Sequence, residues 1–168
     1  MSNHIAFIGV GNMGNPMANQ LVKAGQNVKV FDVSSDVIEI AKQSGLNVIN
    51  SMEELLEGAT TVISMLPEGK HVRSLYLGDN GILKSIPKDC LIIDCSTIDI
   101  ETSLALGNEA KKIGINMIDA PVTGGVMGAR AGKLNFLVGG TDEAVALAKP
   151  LFDIMAVSYT HLTLPTKA

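Results

Sequence analysis

Three glycines near the N-terminus, Gly9, Gly11 and Gly14, have the spacing G-x-G-x-x-G and could hold a pyrophosphate. In such a turn the first glycine permits a tight strand-to-helix connection, and the second lets the backbone approach the phosphates. The third lets the helix pack against the strands. The free N–H groups and partial positive charge of the helix N-terminus then receive the phosphates. The other residues of the turn are expected to contact the cofactor as well: Val10, Asn12 and Met13.

An acidic residue, Asp32, ends the second apolar run, which begins at Val28. A carboxylate at this position would accept hydrogen bonds from both ribose hydroxyls of NAD and would repel the 2′-phosphate of NADP. Three glycines alone are a weak signal in a chain with 17 glycines, so the context decides the interpretation. The motif follows a strand, opens a helix and precedes a second strand that ends in an acid. We therefore interpret it as an NAD site rather than an ordinary glycine-rich turn.

Three later apolar runs are each followed by a short segment that could line a site, and two of these segments contain small hydroxyl residues or glycines. The three segments are Met-Leu-Pro at residues 65–67, Ser96 with Thr97, and Val-Thr-Gly-Gly at residues 122–125. In doubly wound sheets ligands bind outside the carboxyl ends of the strands, so these segments should lie beside the glycine-rich turn. Each segment alone could be a helix N-cap or a simple turn. Their convergence on one edge favours a site that binds a carboxylate.

Short apolar runs alternate with helical stretches, which is typical of a doubly wound, mostly parallel Rossmann-type α/β sheet with helices on both faces. The predicted strands are residues 5–8, 28–32, 47–49, 61–65, 91–94, 117–119 and 135–138. The helices predicted after the first are residues 35–44, 51–57, 69–76, 100–113 and a last one from Thr141 through Leu151. In the helix at 100–113 the expected inward residues are Leu104, Ala105, Ala110 and Ile113.

Composition narrows the class of protein. With 46% apolar and 18% charged residues the chain can build a packed core, and its length suits one domain. The net charge of −4 without a basic run argues against nucleic acid or an anionic membrane as a partner. No apolar stretch approaches the roughly 20 residues that span a bilayer. Because the first strand starts almost at once, no signal peptide is expected, and the expected location is cytoplasmic, or the mitochondrial matrix after removal of a transit peptide.

The two cysteines, Cys90 and Cys95, lie five residues apart within or beside one predicted strand. An odd separation places them on opposite faces of the strand, too far apart for a disulfide. No His/Cys cluster lies near them, so no metal site is expected. We predict two small apolar fillers in a reducing compartment.

Five segments together resemble the N-terminal domain of the β-hydroxyacid dehydrogenase family. In family order they are FIGVGNMGNPMA at 7–18, SMLP at 64–67, His71-Val72 with Tyr76, IDCSTID at 93–99 and DAPVTGGVMGA at 119–129. The resemblance covers residues 4 to about 155. It implies NAD(P)-dependent oxidation of a short 3-hydroxy acid, such as 3-hydroxyisobutyrate to methylmalonate semialdehyde. It also implies a homo-oligomeric complete protein whose partner is a small-molecule substrate.

The resemblance also implies roles for particular residues. Those expected to line the adenosine and nicotinamide sites are Met65, Leu66, Pro67 and Thr97. Those expected to hold the substrate carboxylate are Thr123, Gly124 and Gly125. The family usually has serine where this chain has Thr123, and the added methyl group can narrow the pocket. Cys95 also replaces a usual serine.

A catalytic lysine is expected outside this sequence. In the family a lysine on a long helix after this domain acts as general acid and base, and an all-helical domain closes the substrate site. Only 17 residues follow Leu151, and they contain no G-x-x-x-K-x-x-x-N pattern. We therefore assign no catalytic residue to this chain and expect Lys111, Lys112 and Lys133 to be solvated surface residues.

The last twelve residues are expected to be foreign to the protein. The codons GTC TCT TAT ACA CAT CTG ACG CTG CCG ACG, which belong to a transposon sequencing adapter, encode residues 157–166 one for one. We therefore predict an NAD-binding domain at 1–156 and a scar at 157–168, and give His161 no catalytic role. The alternative is a genuine, divergent C-terminus.

Three functions remain open from the sequence. The first is the NAD-binding domain of a 3-hydroxyacid dehydrogenase that is inactive as this fragment. The second is a reductase of the same family that acts on tartronate or succinate semialdehyde. The third is a non-catalytic module that binds the dinucleotide to sense or sequester it, which the missing lysine favours.

Overall fold

The computed structural model describes residues 3–162, whose strands form one nine-stranded sheet. The strands are β1 His4–Ile8, β2 Val28–Phe31, β3 Asn47–Val48, β4 Ala59–Ser64, β5 Leu91–Asp94, β6 Asn116–Asp119, β7 Val122–Thr123, β8 Leu134–Gly139 and β9 Ala156–Leu162. The helices are α1 Gly14–Lys23, α2 Ser35–Gln43, α3 Met52–Leu56, α4 Gly69–Leu77, α5 Ile100–Lys112, α6 Gly125–Ala131 and α7 Asp142–Met155. A 3₁₀ helix covers Ile82–Lys84.

The strand order is β3-β2-β1-β4-β5-β6-β8-β7, and β9 pairs with β8. All pairs from β3 to β6 are parallel, whereas β6 and β7 run antiparallel to β8. The chain moves outward from β1 in one direction through β2 and β3, then returns to the other side of β1 with β4. This reversal beside β1 is the switch point at which doubly wound sheets bind ligands. The predicted mostly parallel α/β sheet is confirmed.

Both faces of the sheet are covered, which explains why its central strands are apolar without interruption. Ile5 and Phe7 of β1 point into one buried cluster, and Ala6 and Ile8 into the other. Every residue of β1 and β5 is buried. A polar side chain at the end of either strand is therefore costly unless hydrogen bonds compensate for its burial.

Side-chain caps fix the beginnings of four helices. Ser34 caps α2, Ser51 caps α3, Asp99 caps α5 and Thr141 caps α7, each by accepting a backbone N–H from the helix's first turn. Of the two adjacent serines at the start of α2, Ser34 and Ser35, it is Ser34 that caps the helix. These local signals are why most helix boundaries lie within a residue or two of the predicted ones.

The expected inward face of α5 was wrong in part. Ala110 is buried as predicted, together with Thr102 and Leu106, whereas Leu104 is 51% exposed and Ile113 is 38% exposed. The buried residues of the helix recur every four positions and form a narrow stripe, so apolar residues beside that stripe face outward. The short strand β7 and the helix α6 were missed, because two residues and a glycine-rich stretch carry too little apolar periodicity to predict either.

Residues 156–162 extend the sheet. β9 runs parallel to β8, and the ring of Tyr159 packs on Phe152 with their centroids 5.3 Å apart. The predicted domain boundary at residue 156 coincides with the start of this strand. The foreign origin of residues 157–168 stays a prediction, and residues 163–168 lie outside the described part of the chain.

Both cysteines are buried and free of any disulfide, as predicted. Burial raises the pKa of Cys90 to about 12 and raises that of Cys95 well above its usual range. Between residues 3 and 162 no helix is long and apolar enough to cross a bilayer. Within the same range no group of three His, Cys, Asp or Glu residues could hold a metal ion.

Candidate functional site

The glycine-rich turn connects β1 directly to α1, as the sequence predicts. Gly9 adopts a φ of +90°, a conformation that favours glycine, and its N–H donates to the carbonyl of Phe31 at 3.0 Å. A Cβ at Gly9 would collide with the carbonyl of Met65 and the side chain of Leu66. The first glycine therefore lets the turn lie directly against the loop after β4.

The other two glycines serve different purposes. A Cβ at Gly14 would overlap the carbonyl oxygen of Gly9, so only glycine lets α1 start this close to the turn. At Gly11 a Cβ would meet no atom within 4 Å, and the φ of this residue is not positive. Gly11 is thus unnecessary for the fold itself and leaves open space over the turn, which is where a pyrophosphate fits.

The N-terminus of α1 is open to an anion. Its N-cap residue, Met13, makes no side-chain hydrogen bond, and the first turn contains no acidic residue. Four other helices are capped by a serine, threonine or aspartate and have an acid in the first turn, whereas α4 and α6 share the open start of α1. Asn15 already donates to the Gly11 carbonyl and Pro16 has no N–H, so the helix dipole and the backbone of the turn before α1 are what favour a phosphate at this position.

Asp32 is tied to the same turn. Its Oδ2 accepts the N–H of Val10 at 3.0 Å, and its Oδ1 accepts the N–H of Ser34 at 3.0 Å. The carboxylate is half-buried immediately after β2, while the next residue, Val33, is 91% exposed. Two backbone donors therefore fix the orientation of the carboxylate at the edge of the groove, and its remaining lone pairs can accept hydroxyls.

The loops after β4 and β5 meet through one serine. The Leu66 N–H donates to Ser96 Oγ at 2.8 Å, and the Ser96 hydroxyl donates to Asp94 Oδ1 at 2.7 Å. The hydroxyl of Ser64 donates to the same Asp94 oxygen at 2.8 Å, and Tyr76 donates to Ser64 at 2.7 Å. Ser64, Asp94, Ser96 and Tyr76 are all buried.

Burial perturbs the acids of this network. Desolvation raises the pKa of Asp94 to about 6, although hydrogen bonds from Ser96 and Ser64 act against it. The Oδ2 of Asp94 is buried and has no hydrogen-bond partner. Asp119 stands opposite Asp94 on β6, and burial raises its pKa despite a hydrogen bond from Ser103. The pKa of Tyr76 also rises, first through desolvation and then through the charge of Asp94.

Backbone hydrogen bonds hold the strand ends side by side. The N–H of Met65 donates to the Ile8 carbonyl at 2.9 Å, and that of Cys95 to the Ser64 carbonyl at 2.8 Å. The N–H of Ala120 donates to the Asp94 carbonyl at 2.8 Å. The predicted segments after β1, β4, β5 and β6 therefore lie along one edge of the sheet. Met65 and Leu66 are half-buried in this row, and Pro67 and Thr97 are exposed.

Thr123, Gly124 and Gly125 lie four to six residues beyond the end of β6 and are all exposed. Both glycines have a positive φ, +123° at Gly124 and +62° at Gly125, a backbone conformation that other residues rarely adopt. α6 begins at Gly125 and packs against α1. A cavity of about 530 Å³ joins Gly11 and Asn12 of the turn to Val126 and Arg130 of α6. The predicted carboxylate segment thus neighbours the predicted phosphate turn.

Lys111, Lys112 and Lys133 are exposed, as predicted, and Lys112 is paired with Glu109 at the end of α5. Sequence reasoning missed the network of Ser64, Tyr76 and Asp94. Its available signal was a carboxylate at the end of the fully apolar strand β5, where a buried charge requires partners.

A glycine-rich turn at the switch point, an uncapped helix and a fixed acid after β2 together define a dinucleotide-binding domain. The family described as the NAD binding domain of 6-phosphogluconate dehydrogenase matches residues 4–163. A 3-hydroxyisobutyrate dehydrogenase from Pseudomonas aeruginosa is 48% identical over 157 residues, which are 94% of this chain and 53% of that protein. A mitochondrial 3-hydroxyisobutyrate dehydrogenase from Mus musculus is 45% identical, covering 94% of this chain and 47% of that protein.

A solved structure of Mycobacterium tuberculosis 3-hydroxyisobutyrate dehydrogenase with L-serine superposes with a TM-score of 0.90 at 38% identity. It covers 97% of this chain, and this chain covers 55% of it. The chain spans about half the length of the curated relatives it matches. It belongs to the family of NAD-binding domains represented by that of 6-phosphogluconate dehydrogenase, as an N-terminal domain of the β-hydroxyacid dehydrogenase type.

Proposed function

We propose that this chain is the cofactor-binding part of an NAD-dependent 3-hydroxyisobutyrate dehydrogenase. In the complete protein it would support oxidation of the primary alcohol of 3-hydroxyisobutyrate to methylmalonate semialdehyde. The observation that carries the proposal is the open space over Gly11 beside an uncapped helix, with Asp32 fixed to the same turn. Identities of 45–48% to two dehydrogenases of that name support the choice of reaction.

The residues of the turn would bind the pyrophosphate through backbone N–H groups and the N-terminus of α1. The donors would be Gly11, Asn12, Met13 and Gly14, whereas Gly9 and Val10 would shape the turn, because their N–H groups already donate to the Phe31 carbonyl and the Asp32 carboxylate. The loops after β4 and β5 would line the adenosine and nicotinamide through Met65, Leu66, Pro67 and Thr97. When bound, NAD supplies the ring that accepts a hydride, and the domain's part is to position it.

Asp32 would bind both ribose hydroxyls of the adenosine and so select NAD over NADP. Its carboxylate already accepts two backbone N–H groups, which hold it at the edge of the groove. A 2′-phosphate placed against this fixed negative charge would be repelled. This supports NAD as the physiological cofactor.

Thr123, Gly124 and Gly125 would hold the carboxylate of the substrate. The positive φ angles of the two glycines and the exposed hydroxyl of Thr123 favour donors that converge on an anion. The relevant substrate class is a 3-hydroxypropanoate with a small group at C2. 3-Hydroxyisobutyrate carries a methyl group there and L-serine an amino group, and the tuberculosis relative was solved with L-serine. L-Serine is therefore a second substrate to test.

The proton of the substrate hydroxyl requires a base that we place outside this sequence. Lys111, Lys112 and Lys133 are exposed, whereas a lysine base needs desolvation to lower its pKa towards neutrality. We infer that a lysine in the remainder of the complete protein performs this step. We also propose that the native domain ends near residue 156 and that residues 157–168 are a scar.

Two alternatives remain to be tested. A semialdehyde reductase of the same family would run the reaction in the other direction on tartronate or succinate semialdehyde. A non-catalytic module would bind NAD without turnover even when extended by its natural downstream sequence. We propose a homo-oligomeric complete protein in the cytoplasm or in the mitochondrial matrix, and the name of the mouse relative, which is mitochondrial, supports the second location.

The test has two parts. NADH and NADPH are titrated into the 168-residue chain and binding is followed by nicotinamide fluorescence. The complete reading frame is then recovered from the source gene. NADH formation is measured with 3-hydroxyisobutyrate and L-serine, and NADH consumption is measured with tartronate semialdehyde and succinate semialdehyde. Binding of NADH with turnover of 3-hydroxyisobutyrate supports the proposal. Binding without any turnover by the complete protein would leave the non-catalytic module as the function.

A further inference from the structure

A directional chain of hydrogen bonds lies beneath the two loops assigned to the cofactor. Tyr76 donates to Ser64, and Ser64 donates to Asp94 Oδ1 at 2.8 Å. Ser96 donates to the same oxygen twice, from its hydroxyl at 2.7 Å and from its N–H at 3.3 Å. Ser64 and Ser96 donate directly to one carboxylate oxygen and Tyr76 acts on it through Ser64, and the four side chains are at most 1% exposed.

The chain of bonds reaches the cofactor edge at Leu66. A serine hydroxyl can donate one hydrogen bond, and Ser96 donates it to Asp94. The Ser96 oxygen is thereby turned so that its lone pairs face the Leu66 N–H, which donates to it at 2.8 Å. The residue before Leu66, Met65, has its carbonyl packed against Gly9 of the glycine-rich turn.

We propose that Asp94 is a positioning residue of the cofactor site. Through Ser96 it fixes the Leu66 backbone, and this keeps the loop after β4 seated against the glycine-rich turn before NAD arrives. This inference rests on the proposed function, because it deepens the account of how the same site binds NAD. Preorganisation of this kind raises affinity, since less loop ordering has to occur on binding.

A purely structural explanation of Asp94 fits the network less well. A buried carboxylate with one unpaired oxygen costs stability, and an apolar residue at this position of β5 would avoid that cost. The ionisable groups whose charges act on Asp94, or on which it acts, are Asp119, Cys95 and Tyr76, none of which is a cation. The arrangement therefore retains a costly group at a strand end where its hydrogen bonds lead into the loops after β4 and β5.

The experiment compares four variants of the 168-residue chain. Ser96→Ala removes the acceptor of the Leu66 N–H, and Asp94→Ala removes the group that orients Ser96. Asp94→Asn is the conservative variant, because its amide oxygen can still accept from Ser96 and Ser64. His4→Ala is the matched control, since it removes the buried 2.7 Å bond to the Leu55 carbonyl from the opposite end of β1.

Three readouts are taken for each variant. They are the Kd for NADH by fluorescence titration, the midpoint of thermal unfolding, and hydrogen exchange of the Leu66 amide in the absence of cofactor. Ser96→Ala and Asp94→Ala are expected to raise the Kd about tenfold or more and to speed exchange at Leu66. Asp94→Asn should retain wild-type affinity within a few fold. His4→Ala should lower the unfolding midpoint without changing the Kd.

The outcomes separate this inference from the function on which it rests. Equal NADH affinity in the wild type and Ser96→Ala would overturn the positioning role and leave the NAD site intact. Loss of affinity in His4→Ala as large as in Ser96→Ala would also overturn it, because global destabilisation would then explain both. Failure of the wild-type chain to bind NADH would overturn the proposed function itself.

Discussion

Replacing Asp32 with alanine should weaken NADH binding and erase the preference over NADPH. The carboxylate accepts the N–H groups of Val10 and Ser34, each at 3.0 Å, so it is held in place before the ribose arrives. A hydrogen bond to a charged group contributes roughly 1.5–3 kcal/mol. At about 1.4 kcal/mol per factor of ten, losing one such bond raises the Kd for NADH by roughly 10- to 150-fold.

The same change should affect NADPH in the opposite direction. Removing the negative charge removes the repulsion of the 2′-phosphate, so the Kd for NADPH is expected to fall or stay constant. Calorimetric titration of both cofactors into the wild type and Asp32→Ala measures the two changes together. A drop in unfolding stability is also expected, because the Val10 and Ser34 N–H groups lose their acceptor.

Asp153→Asn provides the control for a lost negative charge. Asp153 is exposed on α7 and pairs with Lys149, so its removal should leave both Kd values unchanged. Unchanged discrimination between NADH and NADPH in Asp32→Ala would refute the assignment of this carboxylate to the ribose.

Three further predictions follow from the site. Gly11→Val should fold with near wild-type stability, since nothing lies within 4 Å of a Cβ at this position, but it should lose NADH binding. Gly14→Ala should instead destabilise the fold, because a Cβ at this position overlaps the Gly9 carbonyl. Thermal unfolding and NADH titration distinguish the two variants. The purified 168-residue chain should form no NADH from 3-hydroxyisobutyrate, as a lost general base alone costs about 10²- to 10⁴-fold, and steady turnover abolished by Thr123→Ala would contradict this. Asp94 should make stability depend on pH: its folded pKa of about 6 lies above its unfolded value of about 3.9, so its contribution is complete below pH 4 and lost as pH rises through 6. The wild type should therefore lose roughly 2 kcal/mol relative to Asp94→Asn between pH 4 and 7 in urea unfolding, and parallel profiles would contradict the buried, perturbed acid.

Much of the sheet could be predicted because its signals are local. A short run of consecutive apolar residues predicts a buried strand such as β5, and a serine or threonine before a helix indicates where that helix begins. The steric roles of Gly9 and Gly14 could be anticipated, because a tight strand-to-helix turn and a closely packed helix each require a residue without a Cβ. Gly11 shows where this reasoning stops, since its φ is ordinary and only the open space above it argues for a ligand.

The parts that sequence reasoning missed depend on tertiary contact. The bond from Leu66 to Ser96 joins residues 30 positions apart, and no spacing rule predicts it. Leu104 looked like a core residue by its chemistry and its helix, but the face that α5 buries is set by the sheet beneath it. The pairing of β9 with β8 likewise follows from an available sheet edge and a ring contact with Phe152, which the sequence of the last residues does not reveal.

Mapping amide chemical shifts of the ¹⁵N-labelled chain during NADH titration tests the central claim most directly. The account predicts that the perturbed amides cluster at the carboxyl ends of the strands, at Gly9, Gly11, Leu66 and Thr97. The amides of Leu55 and its surroundings at the opposite end of β1 should stay in place. Saturable binding whose shifts cluster away from the glycine-rich turn, or no saturable binding at all, would contradict the account.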